Sequence, residues 1–417
     1  MSFTLGRRCV VLAVAPAVAM ALLGGCGNGS GGNSGGDTVT IVVSAPVTTS
    51  PWIADSERKG AELAAAQLNA DGGVNFGGSA HHVRIDIHDN GGSPQRVVAD
   101  AQTAVSEHAA ALIIDGVGAK AVADVTDPAH LPVFVVFDGG ESFIDAKARP
   151  TLFRLAPADQ PMAMRLADYL AASKPKIGLI TDDTGFGTDG ADSLKPAFVR
   201  DKIAVVSQAT VPSTASDVST QVLAARRKGA TALVVWASAP IVAAAIQAAR
   251  STGWTVPIWA GPSGEDPLVR QRLATHVSWL DGVGFVSFRI TAEVGAKPFE
   301  TYRAAYEDKY GADRINLEQN GNEVVQPPDW SMFSYDTVKL VAAALEKAGD
   351  VGEPLLRTLE GKIVITGANG DERGYLATTR EGVSPDDMYF AKFHGFTFAP
   401  VTDDLLSQNL PAVPQTE

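Results

Sequence analysis

The chain has 417 residues, 45% of them hydrophobic and 19% charged, with a formal net charge of −13. That length and apolar content support a large core and more than one domain. Acidity without a basic block excludes nucleic-acid phosphates and anionic membrane surfaces as partners.

At the start, Arg7 and Arg8 form a positive region and an apolar run follows from Cys9 to Leu23. The run is too short for a comfortable membrane span, and the Gly-rich sequence behind it gives no stop-transfer flank. It ends in Leu23-Gly24-Gly25-Cys26, which resembles the lipobox of bacterial lipoproteins. That resemblance implies cleavage before Cys26, acylation of its thiol, and a protein anchored to the outer face of the cell membrane. The Arg pair also hints at twin-Arg export. Cys9 and Cys26 are the two cysteines of the chain, so everything beyond them lacks a disulfide, a Cys metal site or a thiol nucleophile. Gly27 to Gly36 reads GNGSGGNSGG. With no apolar side chain to bury it is a flexible tether, spanning about 18 Å.

From Val39 onward short apolar strands alternate with helical patterns. Val39–Ser44, Val83–His88, Ala111–Asp115 and Val133–Phe137 read as strands. Between the first two, Asp55–Ala70 carries Ala61, Ala64, Ala65 and Leu68 at helical spacing, and Asp71-Gly72-Gly73 ends it. The plan repeats with strands Lys176–Thr181, Ala204–Gln208, Ala232–Trp236 and Ile258–Ala260, and Ala-rich helices such as Ile241–Ser251 between them. Two βαβαβ runs predict two doubly wound parallel sheets, an α/β fold of two Rossmann-like lobes. Phe153-Arg154-Leu155 is the expected exit from the first set, and Phe285–Phe288 follows the second. Helices Ala296–Tyr310 and Asp336–Ala348 come next, then a polar, turn-rich end. Repeated crossing makes a multi-strand hinge, expected near 153–157, near 285–289 and after about residue 362.

Arg58-Lys59-Gly60-Ala61-Glu62-Leu63-Ala64, followed by Leu68-Asn69-Ala70-Asp71-Gly72-Gly73-Val74, resembles the first helix and turn of type I periplasmic binding proteins. The leucine/isoleucine/valine-binding group of ABC-transporter receptors is the branch it is most similar to. Asp89-Asn90, Leu131-Pro132-Val133, Phe153-Arg154-Leu155, Thr181–Gly187, Tyr302–Tyr310 and Ser334-Tyr335-Asp336 match later pieces in order. The resemblance spans roughly residues 39–375. It implies a signal peptide over 1–25 and a lipidated tether over 26–37. The first lobe then takes 38–155 plus 289–362, the second 156–288 plus 363–400, and 401–417 is a tail. It also implies a small-molecule ligand between the lobes, an ABC permease as partner, a membrane link through the lipid, a monomer, and no cofactor or enzymatic activity.

In that family the ligand is held by loops at the C-terminal strand ends. Here those loops are 45–52, 115–120, 138–141, 182–187, 236–238 and 263–266. The candidate ligand contacts are Trp52, Gly116, Gly118, Lys120, Asp138, Gly139, Glu141, Asp182, Phe186, Trp236, Ser238, Ser263 and Glu265. The sequence departs from the amino-acid binders at three points. Ser263 stands where they carry a carboxylate for the ligand ammonium. Gly116-Val117-Gly118-Ala119-Lys120 replaces their hydroxyl-bearing loop, and Phe186 stands for their Tyr. These departures weigh against an α-amino acid, although Lys120 and backbone N–H groups suit a carboxylate. Asp138, Glu141 and Glu265 suit a hydroxyl, amide or cation instead.

Other motifs have plainer readings. Gly185-Phe186-Gly187-Thr188-Asp189-Gly190 has the form G-x-G-x-x-G. It starts three residues past its strand, with no acid ending the next, so it is a Gly-rich ligand loop and not a dinucleotide site. His82, Arg84, Asp86 and His88 alternate on one strand, and Arg84 disfavours a metal there. One carboxylate of Asp182-Asp183 is expected to cap a helix or touch ligand. No Ser/His/Asp set stands out. A sensor subunit of the same fold, and an exported hydrolase, are the alternative functions.

Overall fold

The computed structural model describes residues 37–288, 297–361, 363–384 and 388–401. Cys26, the tether and the tail beyond 401 lie outside them, as does the second crossover expected around residue 289. No described helix is long and apolar enough to cross a membrane.

The first set runs β1 (Asp37–Ala45), α1 (Pro51–Ala70), β2 (Val74–Phe76), β3 (Ser79–Asp89), α2 (Pro94–Ser106), β4 (Ala111–Ile114), α3 (Ala119–Ala129), β5 (Val133–Val135) and β6 (Leu152–Arg154). These form one sheet in the order β2-β3-β1-β4-β5-β6, with β3 to β6 mutually parallel and β2 antiparallel at the edge. Alternation within the strands decides which face each residue buries. Ile41, Val43 and Ile113 join α1 in one core, whereas Val42, Leu112 and Ile114 join α2 and α3 in another.

The second set runs α4 (Asp159–Ala171), β7 (Ile177–Asp182), α5 (Gly185–Arg200), β8 (Val205–Val211), α6 (Ser219–Arg227), β9 (Ala232–Trp236), α7 (Ala239–Ser251), β10 (Ile258–Ala260), α8 (Pro267–Arg272) and β11 (Val283–Phe288). Its strands β11-β10-β9-β7-β8 are parallel, and a late antiparallel pair is added beyond β11. Here Leu179, Val234 and Trp236 face α4 and α5, and Leu233 and Val235 face α6 and α7. The chain is thus two doubly wound lobes, as the alternating strands and helices required.

The remaining elements are α9 (Lys297–Tyr310), β12 (Asp313–Gln319), β13 (Asn322–Gln326), α10 (Ser331–Ala348), α11 (Glu353–Leu359), β14 (Val364–Thr366), β15 (Glu372–Gly374), β16 (Met388–His394) and β17 (Thr397–Pro400). Their placement differs from the boundaries expected at 289–362 and 363–400. Helices α9, α10 and α11 complete the first core, but Ile315 and Val324 of the β12–β13 hairpin pack into the second. Gln271 Nε2 donates to the Ile315 carbonyl at 3.0 Å. Past residue 363, Ala368, Tyr375 and Val383 still belong to the first core, and the second begins again only at β16. The reason is local: each of these segments buries isolated apolar residues, so no run in the sequence announces where it docks.

Where the chain first leaves the β6 edge, two segments lie side by side. Arg154 N–H donates to the Arg380 carbonyl and Gly382 N–H to the Arg154 carbonyl, each at 2.8 Å. The Arg154 side chain is fully buried, and its Nε and Nη2 grip both oxygens of Glu381 at 2.7 and 2.6 Å.

Helices α1 and α10 meet at Gly60, where an added Cβ would stand 2.0 Å from the Ser331 carbonyl oxygen and 2.3 Å from Ser334 Oγ. Helix propensity alone would make Gly60→Ala stabilising by about 1 kcal/mol. The contact reverses the sign: a net loss of about 1–3 kcal/mol is expected, from overpacking against backbone that cannot step aside. Urea unfolding checks it through a lower midpoint at unchanged slope; a raised midpoint would contradict the close approach.

Candidate functional site

At the ends of β4 and β5, hydrophobic strands give way to acid and glycine. Asp138 N–H donates to the Asp115 carbonyl at 2.8 Å. Gly116 has φ of +135°, and a Cβ there would come within 2.2 Å of Asp138 Cβ, so the site needs glycine twice over. Asp115 Oδ1 accepts from Asn90 Nδ2 and from Val117 N–H, both at 3.3 Å. Asp138 Oδ1 accepts from Gly140 N–H at 3.0 Å. Gly139 is buried against α4: the Asp159 N–H donates to its carbonyl at 2.8 Å, and a Cβ on it would lie 2.6 Å from Asp159 Oδ1.

Two more carboxyls complete this row. Glu57, in the second turn of α1, is 3% exposed, and Asp159, which opens α4, is 0% exposed. Neither oxygen of either carboxyl has a hydrogen-bond partner among the described residues. Burial pushes Glu57 well above the usual carboxylate range, and the charge of Asp115 pushes it further. Burial, then Asp138, does the same to Asp159, against the pull of Arg154. Asp115 is pushed up to about 7, by burial first and Asp138 second. Asp138 is pushed up to about 6 by burial, with the Gly140 N–H and Arg154 acting the other way. Four carboxyls therefore run from α1 across the first sheet's strand ends to the start of the second lobe. No group of three or more His, Cys, Asp or Glu among the described residues is placed to hold a metal ion.

Beside them stands an aromatic wall. Trp52 meets Phe137 edge-on at 6.1 Å and Trp330 at 6.2 Å, and Phe137 lies 4.4 Å from Trp330. Gly118 caps α3 with φ of +72° and rests on Pro94. Lys120, the expected anion partner, is exposed, its Nζ 5.8 Å above the Phe143 ring. Glu141 is exposed at the rim and accepts from Gln160 N–H at 2.9 Å; partial burial raises its pKa.

The strand ends of the second sheet hold a different chemistry. Asp182 is buried and spends both oxygens on the protein: Oδ2 accepts from Ser238 N–H at 2.7 Å, Oδ1 from the Thr184 hydroxyl at 2.5 Å. The structure thus makes Asp182 a brace between loops, and Thr184 caps α5 by accepting from Gly187 N–H at 3.0 Å. The expected Gly-rich loop is the first turns of α5 itself. Its Gly190 is needed because a Cβ would strike Trp236 at 2.0 Å. Trp236 is fully buried, stacks with Phe186 at 5.9 Å, and its Nε1 has no partner among the described residues. Ser238 Oγ is likewise buried without one, whereas Ser263 Oγ donates to the Ala237 carbonyl at 2.6 Å.

Glu265 belongs to a third group. It is fully buried, accepts from Gln326 Nε2 at 3.0 Å, and raises the pKa of its buried neighbour Asp329. Arg270 binds the Glu265 carbonyl at 3.1 Å and the Gln326 amide oxygen, and burial pulls its pKa down to about 10. The structure therefore brings Gly116, Asp138 and Gly139 into the carboxyl row. It gathers Asp182, Phe186, Trp236, Ser238 and Ser263 at the second sheet, and it holds Glu265 with the β13 strand instead. Ser142 Oγ reaches Asp189 of α5 at 3.4 Å, so the loop after β5 lies against the second lobe.

Sequence reasoning missed Glu57, Asp159 and the role of Arg154, and left Asp115 as a loop boundary. Glu57 had a signal: it sits four residues before Ala61 on the apolar stripe of α1. Asp159 reads as an ordinary acid in the first turn of a helix. On the β3 strand, Arg84 lies 3.4 Å from Asp86 and His88 Nδ1 2.9 Å from Asp100, a network of side-chain pairs.

Comparison with known proteins gives a consistent result. The periplasmic binding protein family matches residues 38–395. No curated protein matches the sequence. Among solved structures, a periplasmic binding protein type 1 from Bordetella pertussis Tohama I superposes with a TM-score of 0.77 at 19% identity, covering 88% of this chain and 100% of that one. The branched-chain amino acid transporter substrate-binding protein LivJ from Streptococcus pneumoniae, in complex with isoleucine, gives 0.73 at 20% identity, covering 88% and 99%. A solute-binding protein of an ABC transporter from Rhodopseudomonas palustris BisB5, in complex with 3,4-dihydroxybenzoic acid, gives 0.70 at 18% identity, covering 85% and 93%.

The raised carboxyls fix the sign of a pH effect. Folded Asp115 keeps its proton up to about pH 7 and Asp138 up to about 6. The unfolded chain releases both near pH 4. The folded state thus binds more protons across that window, so these groups' contribution to stability is lost as pH rises from about 4 to 7. Asp115→Asn removes one such group. Its melting temperature should fall less than the parent's between pH 5 and pH 7.5, and exceed the parent's at pH 7.5 by about 2 °C or more. Parallel curves for the two proteins would contradict the assignment.

Proposed function

The chain belongs to the periplasmic binding protein family, and on that premise we propose that it is an extracytoplasmic solute-binding lipoprotein. It captures a small polar molecule between its lobes and delivers it to an ABC permease. The observation that carries this reading is the buried carboxyl row. Polar groups without partners are costly in a folded protein unless something that binds supplies them. Here they flank Asp115 and Asp138, which lie at the C-terminal ends of β4 and β5, where open parallel sheets receive ligands. Trp52 and its aromatic neighbours offer an apolar surface beside them, which a cleft ligand needs for its non-polar part. The ligands bound in two structural relatives, isoleucine and 3,4-dihydroxybenzoic acid, support capture of a small solute. We read the protein as a binder and not an enzyme, since its family and relatives are binding proteins.

Because the chain crosses between the two lobes more than once, a ligand touching both favours the closed arrangement. A thermal-shift screen over solutes should find a ligand, as saturation at 100 times Kd adds about 2.7 kcal/mol of stability. With that ligand the radius of gyration by small-angle X-ray scattering should fall. An unchanged profile at saturation would count against capture by closure.

Anchoring rests on Leu23-Gly24-Gly25-Cys26. Cys26→Ser should leave the membrane fraction or remain as unprocessed precursor when cells are fractionated. A variant that is processed and stays on the membrane like the parent would refute the lipid anchor.

A further inference from the structure

We propose that the ligand is a small organic cation rich in N–H donors, an amine or guanidine without a carboxylate, received by Glu57, Asp138 and Asp159. This rests on the solute-binding reading and goes further, to the class of solute. The four carboxyls form a row coupled in order: Glu57 with Asp115, Asp115 with Asp138, and Asp138 with Asp159. Two of them, Glu57 and Asp159, are almost completely buried with all four oxygens unpartnered. Such oxygens are buried hydrogen-bonding groups for which the described residues supply no partner.

The nearby cations do not fill that role. Arg154 is committed elsewhere: its Nε and Nη2 hold Glu381, and its Nη1 donates to the Gly140 carbonyl at 2.8 Å. Lys120 points outward over Phe143. A ligand carboxylate placed here would add an acid to a row whose members already disfavour one another's ionisation in a poorly solvated site. A bare metal ion is also a poor match, since no described set of three or more ligating side chains converges on one point. An organic cation with several N–H groups meets both demands. Its charge offsets the row, and its spread-out donors reach acceptors that a single ion would not. Trp52 and Phe137 supply the aromatic surface on which an alkylammonium or a guanidinium plane rests favourably.

The test is titration calorimetry on the purified full chain with four probes: 1,4-diaminobutane, 4-guanidinobutylamine, leucine and 3,4-dihydroxybenzoate. The expected result is binding of at least one of the two cations and neither carboxylate. Glu57→Gln and Asp159→Asn should each weaken the cation at least tenfold. Both variants keep side-chain size, and removing one ionisable group from a row whose members raise one another's pKa should leave the ligand-free melting temperature at neutral pH equal or higher; a carboxyl that merely braced the fold would lower it. Binding of leucine or 3,4-dihydroxybenzoate in preference to both cations overturns the proposal, and so does full cation affinity in both variants. Failure of both cations also overturns it. The solute-binding reading then survives if any other solute in a wide thermal-shift screen stabilises the chain, and falls with it if none does.

Discussion

A guanidinium with no exposure to water sits where the chain first passes from one lobe to the other. Arg154 ends the edge strand β6, and burying its charge is tolerable only because Glu381 takes it with two parallel hydrogen bonds and the Gly140 carbonyl takes a third. Each of these partners has a structural consequence. Glu381 lies on the late segment that leads back to β16, so the ion pair holds two crossing segments together, and backbone bonds from Arg154 to Arg380 and Gly382 reinforce it. Gly140 belongs to the loop after β5, which carries Asp138 and meets α4 and α5 through Gly139 and Ser142. That loop is thus tied to the same buried positive charge.

The two lobes share a plan and differ in how their strand ends are finished. In the second lobe Asp182, Thr184, Ser238 and Ser263 bond one another and the nearby backbone, and Gly190 and Gly261 make room for a buried indole. On that surface Ser238 Oγ and Trp236 Nε1 still lack a partner among the described residues. In the first lobe Glu57 has no partner for either oxygen among the described residues, and Asp115 and Asp138 are held by one or two donors each; Asp159, at the start of the second lobe, is likewise without a partner there. Burial and the neighbouring carboxyls both disfavour charge on these acids.

Much of the fold was legible in the sequence because its strands are buried on both faces. Continuous runs such as Ala232–Trp236 and Ile258–Ala260 were read to the residue, and the alternation of strands with Ala-rich helices gave both sheets. Segments that bury single residues were not legible. The β12–β13 hairpin and the stretch around Tyr375 carry no period, and tertiary contacts alone decide which lobe they join. The site was half legible. Asp138 and the glycines around it stood out as strand-end acid and turn residues. Glu57 and Asp159 did not, because an acid near a helix start usually faces water or the helix dipole, and only packing shows these two turned inward. Glu265 looked equally promising, yet Gln326, far along the chain, answers it.

A crystal structure of the protein with its bound solute shows whether the carboxyl row receives ligand donors. A ligand nitrogen is expected about 3 Å from a carboxyl oxygen of Asp138 and of either Glu57 or Asp159, with the apolar part of the ligand on Trp52. A ligand carboxylate facing the row, or a solute seated away from it, would refute that arrangement.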